Sequence, residues 1–415
     1  MTDIQVRRLQ HLAVFTAAVA AIVMRGTTFL QAPRLWAEEG PIYFQYAMTH
    51  PWWDALLKPH LGYYSLVSNL ATVIAAKAVP LALAAHITTY TGLAIQLATV
   101  MLVWRGPHQI VKTPVERAVL AFGLLILVST EVWLNALTMQ FWLAAGTLYL
   151  LGQERITRAG YAYLVVALLT GVTSLFLMPF FFLRAWRERS SALNKSSPLY
   201  KLCAFSLLVL AGQVYAMLAC DDCVPHARFA AANLNNLPGA VFETAVMPMF
   251  SLPLFRYNFT LSACLFVATI ASAIWLCLRN RALLMVAVPT LFYGVMCIAA
   301  SLDMIGPERY SLPLELGLLI MLIALGQQLN GKWPSILPAV LLLIAHLPSY
   351  FSIDDHYQPS WPNWQAQAAA VCQNGQDQNG QQRIINHPAG PDDHWFIDVP
   401  DSYCPSGSTE RDNAH

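Results

Sequence analysis

Arg34-Leu35-Trp36-Ala37-Glu38-Glu39-Gly40 follows directly on an apolar segment, His11 to Leu30. Read together, the two stretches decide the fold. A run of about 20 apolar residues crosses a bilayer as a helix, and here an adjacent carboxylate pair stands just beyond the end of one. The composition around them agrees: hydrophobic residues are 57% of the chain, charged residues 11%, and mean hydropathy is +0.48. A soluble domain carries roughly 25% charge, so most of this chain faces lipid or other helices. The apolar runs are continuous rather than alternating, unlike the strands of a membrane barrel. The expected class is an all-α polytopic membrane protein.

Arg7 and Arg8 precede the first apolar segment, which has no small-x-small cleavage site. It reads as an uncleaved anchor with a cytoplasmic N-terminus. The first loop, about residues 31–80, then lies outside. It is rich in aromatics, among them Trp36, Tyr43, Trp52, Trp53, Tyr63 and Tyr64, which favour short helices along the headgroup level. Leu66 to Val79, interrupted by Asn69 and Lys77, reads as one of these. Arg105, Lys112 and Arg117 mark the next loop as cytoplasmic. Ala118 to Thr130 returns outward and delivers Glu131, and Phe141 to Leu151 goes back. Tyr161 to Leu183 has cationic flanks on both sides. It either violates the charge rule in one crossing or forms a helical hairpin around Gly171 to Ser174. Continuing the count gives a bundle of about nine to eleven helices over residues 1–350, followed by a polar extracytoplasmic tail, 351–415. That sidedness puts Cys372 and Cys404 in an oxidising compartment, where a structural disulfide between them persists. For Cys220 and Cys223 a bridge is left open; a C-x-x-C can also be a metal or redox site, but no His/Cys partner pattern completes one here.

The unusual polar groups gather on one side: Glu38, Glu39, His60, Glu131, Arg228, Glu243, Arg256, Glu308 and Arg309. Arg25, Lys77 and Glu315 lie within apolar runs but near enough to an end to snorkel. Carboxylates at a membrane surface suit removal of a proton from an acceptor hydroxyl, and a second carboxylate could orient the acceptor or hold a divalent cation. No closed metal-ligand set is visible. A departing phosphate calls for cations with arginine's forked geometry; Arg309 comes first, then Arg256 and Arg25. Each has a plainer reading. Arg309 serves as an interface anchor, His60 as a surface histidine, Glu131 as a helix cap, and the aromatics as membrane anchors.

Four motifs in order resemble the GT-C superfamily of polytopic glycosyltransferases. Trp36-Ala37-Glu38-Glu39-Gly40 is similar to its early acidic motif, and His60-Leu61-Gly62-Tyr63-Tyr64 to its approach to an interfacial helix. Glu131 stands where such enzymes carry a further acidic residue, and Arg309-Tyr310-Ser311-Leu312-Pro313 resembles an Arg-Tyr-x-x-Pro entry to a late helix. The resemblance covers roughly residues 1–329, and Glu39 replaces an aspartate found in many relatives. It implies a GT-C-like bundle in a bacterial inner membrane, working on the periplasmic side. There it would move a sugar from a polyprenyl-phosphate donor to a cell-envelope glycan or lipid acceptor, with no nucleic acid involved. Glu38, Glu39 and Glu131 would be catalytic, either Glu38 or Glu39 being the base. Arg309, Arg256 and Arg25 would hold the donor phosphate, and His60, Tyr63 and Tyr310 would bind substrate. Rival readings are an O-antigen polymerase or ligase, a flippase or transporter of lipid-linked saccharides, and a structural membrane subunit.

Overall fold

The computed structural model describes residues 3–127, 129–189, 198–220, 230–250, 259–303, 307–329, 334–351, 363–374, 383–389, 393–400 and 403. The described chain is mostly helical. The principal helices are α1 (Asp3–Arg25), α2 (Leu66–Lys77), α3 (Ala84–Arg105), α4 (Pro114–Leu127), α5 (Met139–Leu151) and α6 (Arg158–Leu168). They continue as α7 (Met178–Arg189), α8 (Pro198–Leu218), α9 (Phe259–Arg279), α10 (Leu284–Ala300), α11 (Leu312–Gln328), α12 (Leu337–Phe351) and α13 (Trp364–Asn374). Two strands, β1 (Arg383–Ala389) and β2 (Asp393–Asp398), pair antiparallel. Among the described residues, Ile4–Arg25, Leu81–Arg105, Pro198–Leu218 and Arg281–Ala300 are long and apolar enough to cross a membrane. Other apolar helices, among them α2, α5, α6, α11 and α12, are shorter. In α5 the shortness follows from position: it is buried all round, with Trp142 and Tyr149 fully enclosed. It packs against α3, α6 and α11, so protein rather than lipid sets its length.

The doubly cationic segment at 161–183 is a hairpin. α6 ends at Leu168, and the chain reverses through Gly171, whose φ of +74° is open to glycine without strain. Near the far end of α7, Arg184 donates from Nη1 to the Leu150 and Leu151 carbonyls (3.1 and 3.2 Å) and from Nη2 to that of Glu154 (3.3 Å). These are carbonyls at and just beyond the C-terminus of α5, which lack partners in their own helix. α6 starts beside them, and Tyr161 lies within electrostatic reach of Arg184 and Glu188. Both arms therefore return to one end of the bundle, as the charges on both flanks require.

The hairpin apex reaches the opposite end and anchors the first loop there. Leu66 N–H donates to the Leu169 carbonyl (2.8 Å), and Gly171 N–H donates to that of Tyr64 (3.1 Å). Gln213, in the C-terminal third of α8, takes Tyr64 N–H on Oε1 (2.8 Å) and returns Nε2 to its carbonyl (3.0 Å). α2 packs against α3 and the short helices of the first loop. Asn69 Nδ2 donates to the Leu56 and Lys58 carbonyls (2.9 and 2.8 Å), and Lys77 Nζ to that of Met48 (2.9 Å). The two polar interruptions thus tie α2 to the loop before it. Arg25 and Glu315 depart from the snorkelling expectation, being 5% and 1% exposed inside the bundle. Arg25 finds its partner in the Leu125 carbonyl of α4, and Glu315 in the Ser311 hydroxyl at the start of its own helix.

The polar C-terminal stretch holds a folded piece. Trp364 and Ala368 of α13, with Ile384 and its cross-strand partner Ile397, join Leu35, Phe44 and Ala47 in one apolar cluster. Trp364 Nε1 donates to the Leu81 carbonyl (2.9 Å), Gln45 and Asp398 exchange hydrogen bonds, and Tyr403 donates to the Ala76 carbonyl. A few buried residues in a polar background thus complete the core beneath the first loop. The Cys372 side chain, Cys404 and Cys223 lie outside the described residues, and the proposed bridges with them.

Candidate active site

Glu39 and Glu38 are neighbours with opposite environments. Glu39 is 0% exposed. Its Oε1 accepts from Ala136 N–H (2.5 Å) and Leu137 N–H (2.8 Å), and its Oε2 from Trp36 N–H (2.8 Å). One carboxyl thus joins the acidic turn to the loop between α4 and α5, nearly a hundred residues away. Glu38 is half-buried and takes no hydrogen bond among the described residues. It lies within electrostatic reach of Tyr43, Tyr63 and Arg309.

The backbone around this clamp is strained. Ala37 (φ 42°), Leu61 (φ 56°) and Leu134 (φ 49°) are the non-glycine residues in the left-handed region among the described residues. Ala37 precedes the carboxylates, Leu61 sits in the turn before Tyr63, and Leu134 lies in the loop that Glu39 grips. Each such residue costs roughly 1–2 kcal/mol. The hydrogen bonds that converge on Glu39 hold the loop in these conformations. Asn135 tightens the same loop: Nδ2 donates to the Glu131 carbonyl (3.0 Å), and Oδ1 accepts from Thr138 N–H and Oγ1 (2.9 and 2.7 Å). α3 can approach because Gly92 has no side chain; a Cβ there would stand 2.7 Å from Asn135 N. Glu39→Ala would leave three buried N–H groups unpaired, and we expect a loss on the order of 3 kcal/mol. Thermal unfolding in detergent measures it.

Opposite the acidic turn, the short helix Pro307–Tyr310 presents Arg309. Its Nη1 stands 3.6 Å from Glu131 Oε1, and the arginine side chain is only 18% exposed. Burial works against its charge, but Glu131, Tyr310, Glu38 and Tyr63 together raise its pKa above the usual arginine value. Tyr310 packs edge-on against Phe141 (5.1 Å). Tyr63 is set by a two-residue reversal in which His60 and Tyr63 exchange backbone bonds (3.1 and 3.0 Å) around Leu61 and Gly62, both at positive φ. That is the primed turn that suits a tight hairpin.

His60 is buried, with Tyr43 at 4.6 Å and Tyr46 at 5.1 Å between ring centroids. Burial, helped by Lys58, lowers its pKa from 6.5 to about 4. Burial raises Glu39 from 4.5 to about 7 against its hydrogen bonds. The two act on stability with opposite signs. Unfolded histidine binds a proton below 6.5 that folded His60 refuses, so its contribution is lost as pH falls from about 6.5 to 4. Folded Glu39 keeps a proton that the unfolded chain has released, so its contribution falls as pH rises from about 4.5 to 7. Each is on the order of 3 kcal/mol at full extent. His60→Asn should therefore show a melting temperature that rises on acidification from pH 7 to 4.5, where these two groups offset one another in the wild type.

The structure thus brings together Glu38, Glu39, Tyr63, Glu131, Arg309 and Tyr310, with His60 behind Tyr43. It places Arg25 elsewhere: Nη1 donates to the Leu125 carbonyl (2.8 Å) and the guanidinium lies over the Trp133 ring at 4.6 Å. Arg256 lies outside the described residues. Among the described residues no three His, Cys, Asp or Glu side chains are grouped to hold a metal ion. Sequence reasoning passed over Gln213; its signal was a polar side chain in an apolar run, which in a membrane helix asks for a partner. No protein-family model, curated protein or solved structure matches this chain.

Proposed function

We propose that this chain is a membrane glycosyltransferase of GT-C type, moving a sugar from a polyprenyl phosphate to a hydroxyl of a cell-envelope glycan or lipid. Glu38 is the base. It takes the proton of the acceptor hydroxyl as that oxygen bonds to the sugar's anomeric carbon. The bond from that carbon to the phosphate oxygen breaks on the opposite face, and polyprenyl phosphate leaves with the bonding pair. Arg309 balances the charge that develops on the phosphate. Glu131 holds the guanidinium until the donor arrives, and Tyr63 and Tyr310 flank the reacting groups. Reaction on the periplasmic side of an inner membrane belongs to the same reading, as do membrane lipids around the polyprenyl tail.

The observation that carries the reading is the ion pair of Glu131 with a largely buried arginine, Arg309 (3.6 Å), from a distant part of the chain, with the Glu38 carboxylate within electrostatic reach of that arginine. Around them Ala37 and Leu134 hold left-handed backbone, a costly conformation of the kind that clusters at functional sites. The test is sugar transfer by purified protein in nanodiscs, from a panel of polyprenyl-phosphate sugars and acceptors. Release of polyprenyl phosphate by the wild type and not by Glu38→Gln supports it. Movement of labelled lipid across proteoliposomes without a covalent product would replace it with transport.

A further inference from the structure

The end of the bundle opposite the candidate site carries a groove that the proposed chemistry does not use. It lies between α7 and α8 and has a volume of about 550 Å³, within the range of ligand-binding clefts. Phe182, Leu183 and Trp186 line it from α7, and Tyr200, Cys203 and Leu207 from α8. Each set recurs at one, three or four residues, so one apolar face of each helix is turned into the groove. Tyr200 Oη donates to the Ala185 carbonyl (3.0 Å) and ties the two helices together there.

Cations crowd the same end. Between residues 184 and 201 the sequence holds Arg184, Arg187, Arg189, Lys195 and Lys201 against a single acid, Glu188. The whole chain has a net charge of only +1, so positive charge is concentrated here. Glu188 is engaged by Arg184 Nε (2.8 Å). Arg187 and Lys201 are both exposed. Arg187 follows Leu183 by four residues, and Lys201 precedes Ala204, another lining residue, by three. Side chains at those spacings are neighbours on a helix surface, so both cations border the groove. The start of α8 adds the positive end of a helix dipole. Trp186, beside Arg187, is 74% exposed, and exposed tryptophan favours the headgroup level of a bilayer. The apolar groove therefore ends, at headgroup level, in positive charge.

We propose that this groove binds one anionic phospholipid of the surrounding bilayer. An acyl chain lies along Phe182 and Leu207, and the phosphate meets Arg187 and Lys201. Charge complementarity selects this occupant, because a zwitterionic lipid fills the groove but brings no net charge to the cations. The site is separate from Glu38 and Arg309, so its test needs no turnover.

The experiment uses the full chain in detergent micelles, with phosphatidylglycerol and phosphatidylcholine of identical chains as probes. Native mass spectrometry reads the Kd of each. The wild type should hold phosphatidylglycerol at least about tenfold more tightly. In the double variant Arg187→Gln/Lys201→Gln that preference should fall to about twofold or less, with the melting temperature unchanged because both side chains are exposed. Ala204→Trp, which fills the groove, should remove binding of both lipids. Should that variant fail to fold, phosphatidylglycerol with brominated chains locates the lipid by quenching Trp186, read as the difference between wild type and Trp186→Phe. Equal affinity for the two lipids would reduce the groove to ordinary lipid contact and overturn the proposal. A preference that survives loss of both cations, or tight binding that leaves Trp186 unquenched, would overturn it too.

Discussion

Glu38→Gln is expected to lower sugar transfer about a thousandfold, within the range that a positioned general base contributes, while folded yield and melting temperature stay at wild-type values. The separation is possible because Glu38 takes no hydrogen bond among the described residues, so an isosteric amide removes a base and little else. Glu39→Gln is the matched control. It keeps a carbonyl oxygen for Ala136 and Leu137 and disturbs the bond from Trp36. It should retain measurable turnover, with a shifted melting temperature. The open choice between the two carboxylates is thereby put to a direct comparison: kcat should collapse in one variant and stability should move in the other. Full turnover in both would remove the acidic turn from the chemistry.

The second large effect concerns Arg309. Arg309→Ala should cost about 100- to 1,000-fold in kcat/KM, as loss of a charge-stabilising donor does elsewhere. It also leaves Glu131 without the guanidinium 3.6 Å away. Arg309→Lys keeps the charge but loses the planar fork, and should recover only part of that loss. A role as membrane anchor predicts the reverse, because lysine anchors as well as arginine. Steady-state kinetics of the three proteins, normalised to folded material, decides between the readings.

Some of this was open to view in the residues. Composition and continuous apolar runs specify a helical membrane protein, because the shortage of charge leaves no other way to cover the surface. Cationic flanks at both ends of 161–183 raised the hairpin, since two like-charged ends belong on one side. Glu38 and Glu39 stood out together, yet nothing local separates them: they are adjacent, chemically identical and in one short helical turn. Arg25 looked like Arg309, a cation at the end of an apolar run, and residues 351–415 looked like a polar extracytoplasmic tail.

What the sequence determined by itself is therefore whatever depends on sums and periods along the chain: the helical class, the approximate helix positions, and the neighbourhood in which charge collects. The tertiary structure alone decided the individual assignments. Glu39 became a clamp because the N–H groups of Ala136 and Leu137 arrive from a loop 97 and 98 residues away, leaving Glu38 as the one of the two that takes no hydrogen bond among the described residues. Arg25 became a buried grip because α4 and Trp133 close over it. Trp364 turned a polar tail into part of the core by docking on Leu81. The reason is physical. Burial and hydrogen bonding are properties of what surrounds a side chain, and in this fold the surroundings come from residues too distant in sequence to leave a local trace.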